Sequence, residues 1–404
     1  MVPSAERDET VVIVGAGPCG MAIARQLKHQ QKIDAVILDR ASAPASAWRG
    51  RYDGFRLNTC GYWSHLPGQS IPRKYGRWPK RDDMVDYFDD YVRRQGLRLR
   101  LGVTVTRVDR ADARWRITTD GDAYCADAVV IATGNYHTPA LPAWPGMEGY
   151  PGELLHSADY RNPWPFAGRD VLVVGSGNSA VDIALQLSDR VAGRVRLAVR
   201  HPPHLVPRSA AGIPVDAFST ALHRLPVPVL DRAAALVSRL WFGDLTSAGL
   251  PAPRRGIYTA LLEEGSIPTL ADELVPRIKQ GRIEVVPAVE SFDAADVVLA
   301  DGRTIRPEVV IGATGYRHGL EPLVGHLDVL DEEGAPVVNG LPGAAPGLWF
   351  AGYDEPLIGP LQSFRLQAGP LAEDVARQIR SASARPAARP EKMHPPRKVP
   401  SSAL

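Results

Sequence analysis

The stretch Val11-Val12-Ile13-Val14-Gly15-Ala16-Gly17-Pro18-Cys19-Gly20 returns further along the chain as Val171-Leu172-Val173-Val174-Gly175-Ser176-Gly177-Asn178-Ser179-Ala180. In each copy a short β-branched run reads as a buried parallel strand. The residues after the glycines, Met21 to Lys28 and Val181 to Leu187, read as an amphipathic helix. Strand, tight turn and helix in that order form a dinucleotide-binding unit. The first glycine permits a sharp turn, the second lets backbone approach a pyrophosphate, and the third lets helix and strand pack closely. The helix N-terminus then offers free N–H groups to the anion. One such loop is weak evidence, whereas two copies in strand context predict two bound dinucleotides.

The second strand of the first copy, Ala35-Val36-Ile37-Leu38-Asp39, ends on a carboxylate at the spacing where ribose hydroxyls are accepted. That suits the adenosine half of FAD, held by Gly15, Gly17, Pro18, Cys19, Gly20, Asp39 and the adjoining Arg40. In the second copy the equivalent strand, Val195 to Arg200, ends on arginine. A guanidinium pairs with the extra 2′-phosphate of NADPH, where a carboxylate would repel it. The alternative for Arg200 is a solvated strand end. Gly175, Gly177, Asn178 and Ser179 form the matching phosphate turn, and His201, His204 and Arg208 are further polar groups nearby.

The fold expected is α/β, with two Rossmann-like units, the second inserted in the first, and a partly helical insertion. The boundaries expected are 1–150 for the first part of the FAD unit and 151–308 for the NADPH unit, with the insertion at about 205–270. Residues 309–380 return to the FAD unit, and 381–404 form a disordered tail too poor in apolar residues to order itself. Asp82 to Arg94 has helical spacing, Val103 to Ile117 alternates like a hairpin, and Trp48 to Pro79 is aromatic, Pro-rich and irregular. Ala132-Thr133-Gly134 ends one strand. Ala313-Thr314-Gly315 echoes it after Val309-Val310-Ile311-Gly312, read as the return crossing. Leu348 to Gly352 gives a last strand of the first unit.

Composition narrows the classes. The 404 residues carry 47 Lys plus Arg against 45 Asp plus Glu, a net charge of +2, too little basic field for a nucleic-acid partner. No apolar stretch is long enough to span a bilayer, so no membrane partner is expected, and acidic Glu6, Asp8 and Glu9 argue against a signal peptide. Cys19, Cys60 and Cys125 lie far apart, which points to a reducing, cytoplasmic setting without disulfide or zinc chemistry. A metal site is not expected, and no sequence feature sets the oligomeric state.

Tyr150-Pro-Gly152-Glu-Leu-Leu-His156-Ser-Ala-Asp-Tyr160, just before the second glycine loop, resembles the FxGxxxHxxxY fingerprint of the class B flavin monooxygenases, with Tyr150 in place of the usual Phe. Tyr160, where Baeyer–Villiger enzymes carry Trp, tilts the resemblance to the YUCCA-type and flavin-containing monooxygenase-like branch. Trp78-Pro-Lys-Arg-Asp-Asp, Pro207-Arg208, Gly265-Ser-Ile-Pro-Thr-Leu and Ala313-Thr314-Gly315-Tyr316 extend the resemblance over residues 10 to 380. It implies reduction of FAD by NADPH, addition of O2 at flavin C4a to give a hydroperoxyflavin, and oxygenation of a small organic substrate. The reaction would be N- or S-oxygenation, or oxidative decarboxylation of a 2-oxo acid such as indole-3-pyruvate. It also implies that Trp48, Val105, Ala132, Thr133, Gly134, His156, Tyr160, Thr314 and Gly352 line the cofactors. Asn58 would serve as the catalytic amide near C4a, its alternative being a turn or cap asparagine. Tyr62, Trp63, Tyr75 and Trp78 either shape the pocket or pack the core. Two other enzyme readings stay open, an NADPH oxidase and a pyridine-nucleotide flavoprotein reductase, the latter wanting a close cysteine pair. A non-enzymatic nucleotide-binding protein on the same fold is the third.

Overall fold

The computed structural model describes residues 6–190, 193–222, 225–354 and 358–384. The first unit runs β1 (Glu6–Val14), α1 (Pro18–Gln26), β2 (Val36–Asp39), α2 (Arg81–Gln95), β3 (Arg98–Leu101), β4 (Val105–Ala111), β5 (Arg114–Thr119) and β6 (Ala123–Ile131). The second runs β7 (Glu153–His156), β8 (Val171–Val174), α3 (Asn178–Arg190) and β9 (Val195–Val199). Three helices follow, α4 (Val215–Leu222), α5 (Val227–Phe242) and α6 (Ile257–Glu264), and then β10 (Glu284–Pro287) and β11 (Val309–Gly312). The chain closes with β12 (Leu348–Phe350) and α7 (Pro360–Ala384).

The parallel core of the first sheet has the order β3-β2-β1-β6-β12, and the second sheet has the order β10-β9-β8-β11-β7. All neighbours in these two runs are parallel. The repeat seen in the glycine loops therefore extends to whole sheets: β1 and β8 take the same central place, as do β6 and β11. The fifth place is filled by the last strand in one unit and by the first in the other. Helices cover one face of each sheet and antiparallel strands much of the other, so Val11, Val12 and Ile13 are fully buried, as are Val171, Leu172 and Val173. This double burial is why each run is uninterruptedly apolar. Val11 and Ile13 face a core with Met21, Ile23 and Tyr87, while Val12 and Val14 face another with Trp115 and Val324.

Val309–Gly312, expected to begin the return to the first unit, instead lies in the second sheet between β8 and β7. The echo of Ala-Thr-Gly misled because it marks equivalent strands of two units rather than a crossing. The expected boundary at 308/309 thus falls one strand early. The crossings lie where Thr138–Pro139 pairs antiparallel with Tyr316–Arg317. The proline-rich stretch is short of a free linker, since Trp144 is buried against Phe292 on the second unit. The hairpin expectation matches β4 and β5, which pair antiparallel, and the helix expected over 82–94 matches α2. Residues 48–79 are mostly irregular. Pro226 stands at the N-cap of α5 and Pro228 in its first turn, where a missing N–H costs nothing. Ser381–Ala384, expected in the tail, continue α7, and the rest of the expected tail, from 385 on, lies outside the described residues.

Candidate functional site

The first glycine loop is built by contacts that exclude side chains. Gly15 has φ +114°, and a Cβ there would lie 2.4 Å from the Ala132 carbonyl oxygen; one at Gly20 would lie 2.1 Å from the Gly15 carbonyl oxygen. Gly17 has nothing within 4 Å. Two glycines are therefore demanded by the protein, and the third opens onto space where a pyrophosphate fits against the N-terminus of α1. Pro18 opens that helix, where its absent N–H is no loss. Asp39 accepts the Ala16 N–H at 2.7 Å on one carboxylate oxygen and the Ala41 N–H at 2.8 Å on the other. It thus ties the end of β2 to the loop while each oxygen keeps lone-pair capacity. Arg40 beside it is exposed. Val105, at the start of β4, lies just beyond Val103, whose N–H bonds the Asp39 carbonyl at 2.9 Å.

Cys19 is buried, and burial raises its thiol far above the ordinary range. A Cβ on Gly352 (φ +85°) would sit 3.1 Å from its sulfur, so Cys19 acts as packing beneath the loop. Thr133 meets Tyr353 twice, its N–H at 3.1 Å and its hydroxyl at 2.8 Å from the phenol oxygen. Asp354 is held by Asn339 at 3.0 Å and Gln367 at 2.9 Å. Sequence reasoning missed Tyr353 and Asp354, although their place directly after Gly352 could have flagged them.

The second loop repeats this geometry. Gly175 has φ +138°, a Cβ on it would meet the Ala313 carbonyl oxygen at 2.5 Å, and Gly177 again has nothing within 4 Å. Each loop leans on its own Ala-Thr-Gly turn, which is the physical content of that sequence echo. Asn178 accepts the Leu270 N–H at 2.9 Å and donates to the Pro268 carbonyl at 3.0 Å, and the Thr269 hydroxyl donates to the Ser176 carbonyl at 3.0 Å. The Gly265–Leu270 motif is therefore strapped over the loop. Arg200 is exposed at the end of β9, beside a loop anchored by the Gly175 N–H to the Ala198 carbonyl at 3.0 Å. Thr314 donates its hydroxyl to the Ala140 carbonyl, which places it at the crossing.

His156 is 4% exposed and has both ring nitrogens engaged. Nδ1 accepts the Ala158 N–H at 3.0 Å, which leaves Nε2–H to donate to the Gly315 carbonyl at 3.0 Å. Burial lowers its pKa and favours this neutral tautomer. The imidazole is thereby a clasp between the end of β7 and the crossing at Gly315, with no nitrogen spare to act as a base. Tyr160 is 1% exposed, stacks on Phe166 and donates to Gln186 at 3.2 Å. Its ring also meets Tyr52 edge to face, and Tyr52 donates at 2.7 Å to Asp182 of α3, whose carboxyl is pushed up by burial. Tyr52 carries the first unit's irregular segment onto the second unit, a pairing that no local pattern announces.

Asn58 is half-buried on a loop held from several sides. Its side-chain amide makes no hydrogen bond among the described residues, so the turn-cap alternative finds no support. Arg208, read from the sequence as one of the polar groups near the second phosphate turn, donates to the Leu57 carbonyl at 2.8 Å and lies over the Trp78 ring. Asp216 of α4 accepts the Cys60 N–H at 2.6 Å and the Trp63 indole N–H at 2.7 Å. Arg77 donates to the Gly212 carbonyl at 2.7 Å. The insertion thus grips the Asn58 loop at both flanks. Trp48 packs edge to face on Phe55 and Phe88, Tyr75 packs against the same core, and Tyr62 is exposed. A cleft of about 170 Å³ between the units is lined by Arg51, Tyr52, Tyr136, Ser157, Ser179 and Tyr316. Among the described residues no group of side chains could hold a metal ion, and the three cysteines are free and unpaired.

The profile of the pyridine nucleotide-disulphide oxidoreductase family matches residues 12–211. Indole-3-pyruvate monooxygenase YUCCA1 of Oryza sativa subsp. japonica is 35% identical over 79% of this chain and 80% of its own length. A probable indole-3-pyruvate monooxygenase, YUCCA3 of Arabidopsis thaliana, is 30% identical over 92% and 87%. Among solved structures, a flavin-containing monooxygenase from Stenotrophomonas maltophilia superposes with a TM-score of 0.68 at 26% identity, covering 94% of this chain and all of that one. Bacillithiol disulfide reductase from Bacillus cereus, at 20% identity and a TM-score of 0.65, shares the fold alone. With two glycine loops that fit dinucleotides and a resemblance that spans both units, the chain belongs to the flavin monooxygenases, in their YUCCA-like branch.

Proposed function

We propose that this protein uses NADPH and O2 to place one oxygen atom into a small 2-oxo acid of the indole-3-pyruvate kind, releasing CO2. The balance is 2-oxo acid + O2 + NADPH + H⁺ → carboxylic acid one carbon shorter + CO2 + H2O + NADP⁺. The observation that carries it is the likeness to indole-3-pyruvate monooxygenases over both units, at 35% identity for the rice relative. FAD, when bound, supplies the redox chemistry, taking hydride from NADPH and activating O2.

The residues fit both groups. In the first unit Gly17 leaves room for the FAD pyrophosphate, and Asp39 faces its ribose with lone pairs to spare. Ala132, Thr133, Gly134 and Gly352 close the loop around Cys19 and Tyr353. In the second unit Gly177 and Ser179 receive the NADPH pyrophosphate, and exposed Arg200 pairs with its 2′-phosphate. His156 and Tyr160 fix the wall between the sites. Asn58 presents an amide with no hydrogen-bond partner among the described residues, on a loop that Arg208 and Asp216 hold rigid, and the insertion shields that loop from water. With purified protein, NADPH, indole-3-pyruvate and ¹⁸O2, the expected product is the one-carbon-shorter acid with a single ¹⁸O per molecule. NADPH consumption matched by H2O2, with no label in any organic acid, would overturn the assignment.

A further inference from the structure

The helical insertion has an outer surface that its own fold leaves apolar. Leu240 of α5 is 78% exposed, Leu236 59% and Val229 47%, and Val237 and Trp241 are exposed as well. Val229, Ala233, Leu236 and Leu240 are spaced four, three and four apart, so they form one stripe along the helix. The opposite stripe is spent on the protein: Leu230 and Phe242 are buried, and the Ser238 hydroxyl donates to the Leu205 carbonyl at 3.3 Å. Asp231, the one carboxylate in α5, is also turned inward, where it caps α6 through the Tyr258 N–H at 2.7 Å and the Thr259 hydroxyl at 2.6 Å. The exposed face is left with Arg232 and Arg239, two turns apart on one flank of the apolar stripe.

We propose that this face of α5 docks on an anionic phospholipid surface, the stripe entering the acyl boundary and the two arginines meeting the headgroup phosphates. A helix lying in the interface plane needs an apolar stripe, a cationic flank and aromatic edges, and α5 presents all three; the nearest exposed acid, Asp244 just past its C-terminus, lies by Arg239 and leaves Arg232 unopposed on the helix. A second copy of the chain fits less well. An antiparallel pairing of the two helices brings the same flank of each together, setting the arginine row against its own copy with no exposed carboxylate on the helix in reply. The docking requires no span, and among the described residues no helix is long and apolar enough to cross a membrane.

The test is co-sedimentation of the FAD-loaded protein with vesicles of phosphatidylcholine alone or mixed with phosphatidylglycerol, with mass in solution measured by light scattering. The expected result is binding to the mixed vesicles, weakened by salt. The bound fraction should fall about tenfold in the Leu236→Asp, Leu240→Asp double variant, and in Arg232→Ala, Arg239→Ala. Both pairs are exposed, so FAD content and NADPH-driven flavin reduction should stay at the parent level and certify the fold. Absence of sedimentation, equal binding to neutral vesicles, or a dimer in solution that the leucine variant dissolves would each overturn the proposal.

Discussion

At the scale of single residues, side chains that read alike in sequence part company in the fold. His156 belongs to the family fingerprint, yet its nitrogens are both bonded to backbone, so it serves as a clasp. Its lowered pKa means that the unfolded chain binds a proton at a higher pH than the folded chain does. Its contribution is therefore whole above the unfolded value of about 6.5 and is lost as pH falls from there through the folded value. His65, His137 and His204 are shifted the same way, each chiefly by burial. The melting temperature should drop between about pH 7.5 and about pH 5.5, roughly one unit either side of that pKa. His156→Gln should lower it at the upper pH and shrink the drop; an unchanged drop would remove His156 from the account. Arg200 is the opposite case, an exposed side chain proposed to meet the 2′-phosphate of NADPH. A hydrogen bond to a charged group is worth about 1.5–3 kcal/mol, so Arg200→Ala should raise KM for NADPH by about ten- to hundredfold. KM for NADH should barely move, and steady-state kinetics with both nucleotides decide it.

At the scale of elements, the two glycine loops and the insertion make separate demands. A Cβ at Gly15 collides with the Ala132 carbonyl, whereas one at Gly17 meets nothing. Gly15→Val should therefore impair folding itself, while Gly17→Val should yield folded protein that has lost FAD. Circular dichroism and the flavin absorbance of the purified proteins separate the two. For the insertion, Asp216 holds the Asn58 loop by two donors. Asp216→Ala leaves both unsatisfied, at about 1–3 kcal/mol each where they are shut off from water. A looser loop admits water, so H2O2 released per NADPH should rise several-fold, as a peroxide assay reports. The glycine loops were legible in the sequence because their requirements are local to a turn of ten residues. Asp216 was not, because its partners Cys60 and Trp63 lie in another unit, and nothing in the run Ile213-Pro-Val-Asp216 hints at them.

At the scale of the whole molecule, function depends on two similar sheets meeting at a paired crossing. Thr138–Pro139 and Tyr316–Arg317 form the only route by which the chain passes between them among the described residues, and Thr314 and His156 brace it. A nucleotide that binds the folded protein in the cleft stabilises it by mass action. NADP⁺ at about a hundred times its Kd should add about 2.7 kcal/mol to the stability of the FAD-loaded protein. Thr314→Val, which unfastens the crossing, should reduce that gain by weakening NADP⁺ binding, and calorimetric melting with and without NADP⁺ reads it.

The sequence alone determined the parts whose physics is short-range. These are the two strand-turn-helix loops, the carboxylate at 39 and the arginine at 200 that end the following strands, the hairpin read over 103–117, and the family fingerprint before the second loop. Periodicity and turn sterics act over a few residues, so they are written where they act. Tertiary structure alone decided that Val309–Gly312 belongs to the second sheet, because strand order is set by which buried edges fit together and not by resemblance between strand ends. It also decided that Arg208 reaches Leu57, that Tyr52 finds Asp182, and that α5 spends its one acid inward and turns its leucines out. The Arg208–Leu57 and Tyr52–Asp182 contacts join residues far apart in the chain, and only the packing of the two units brings them within hydrogen-bond reach.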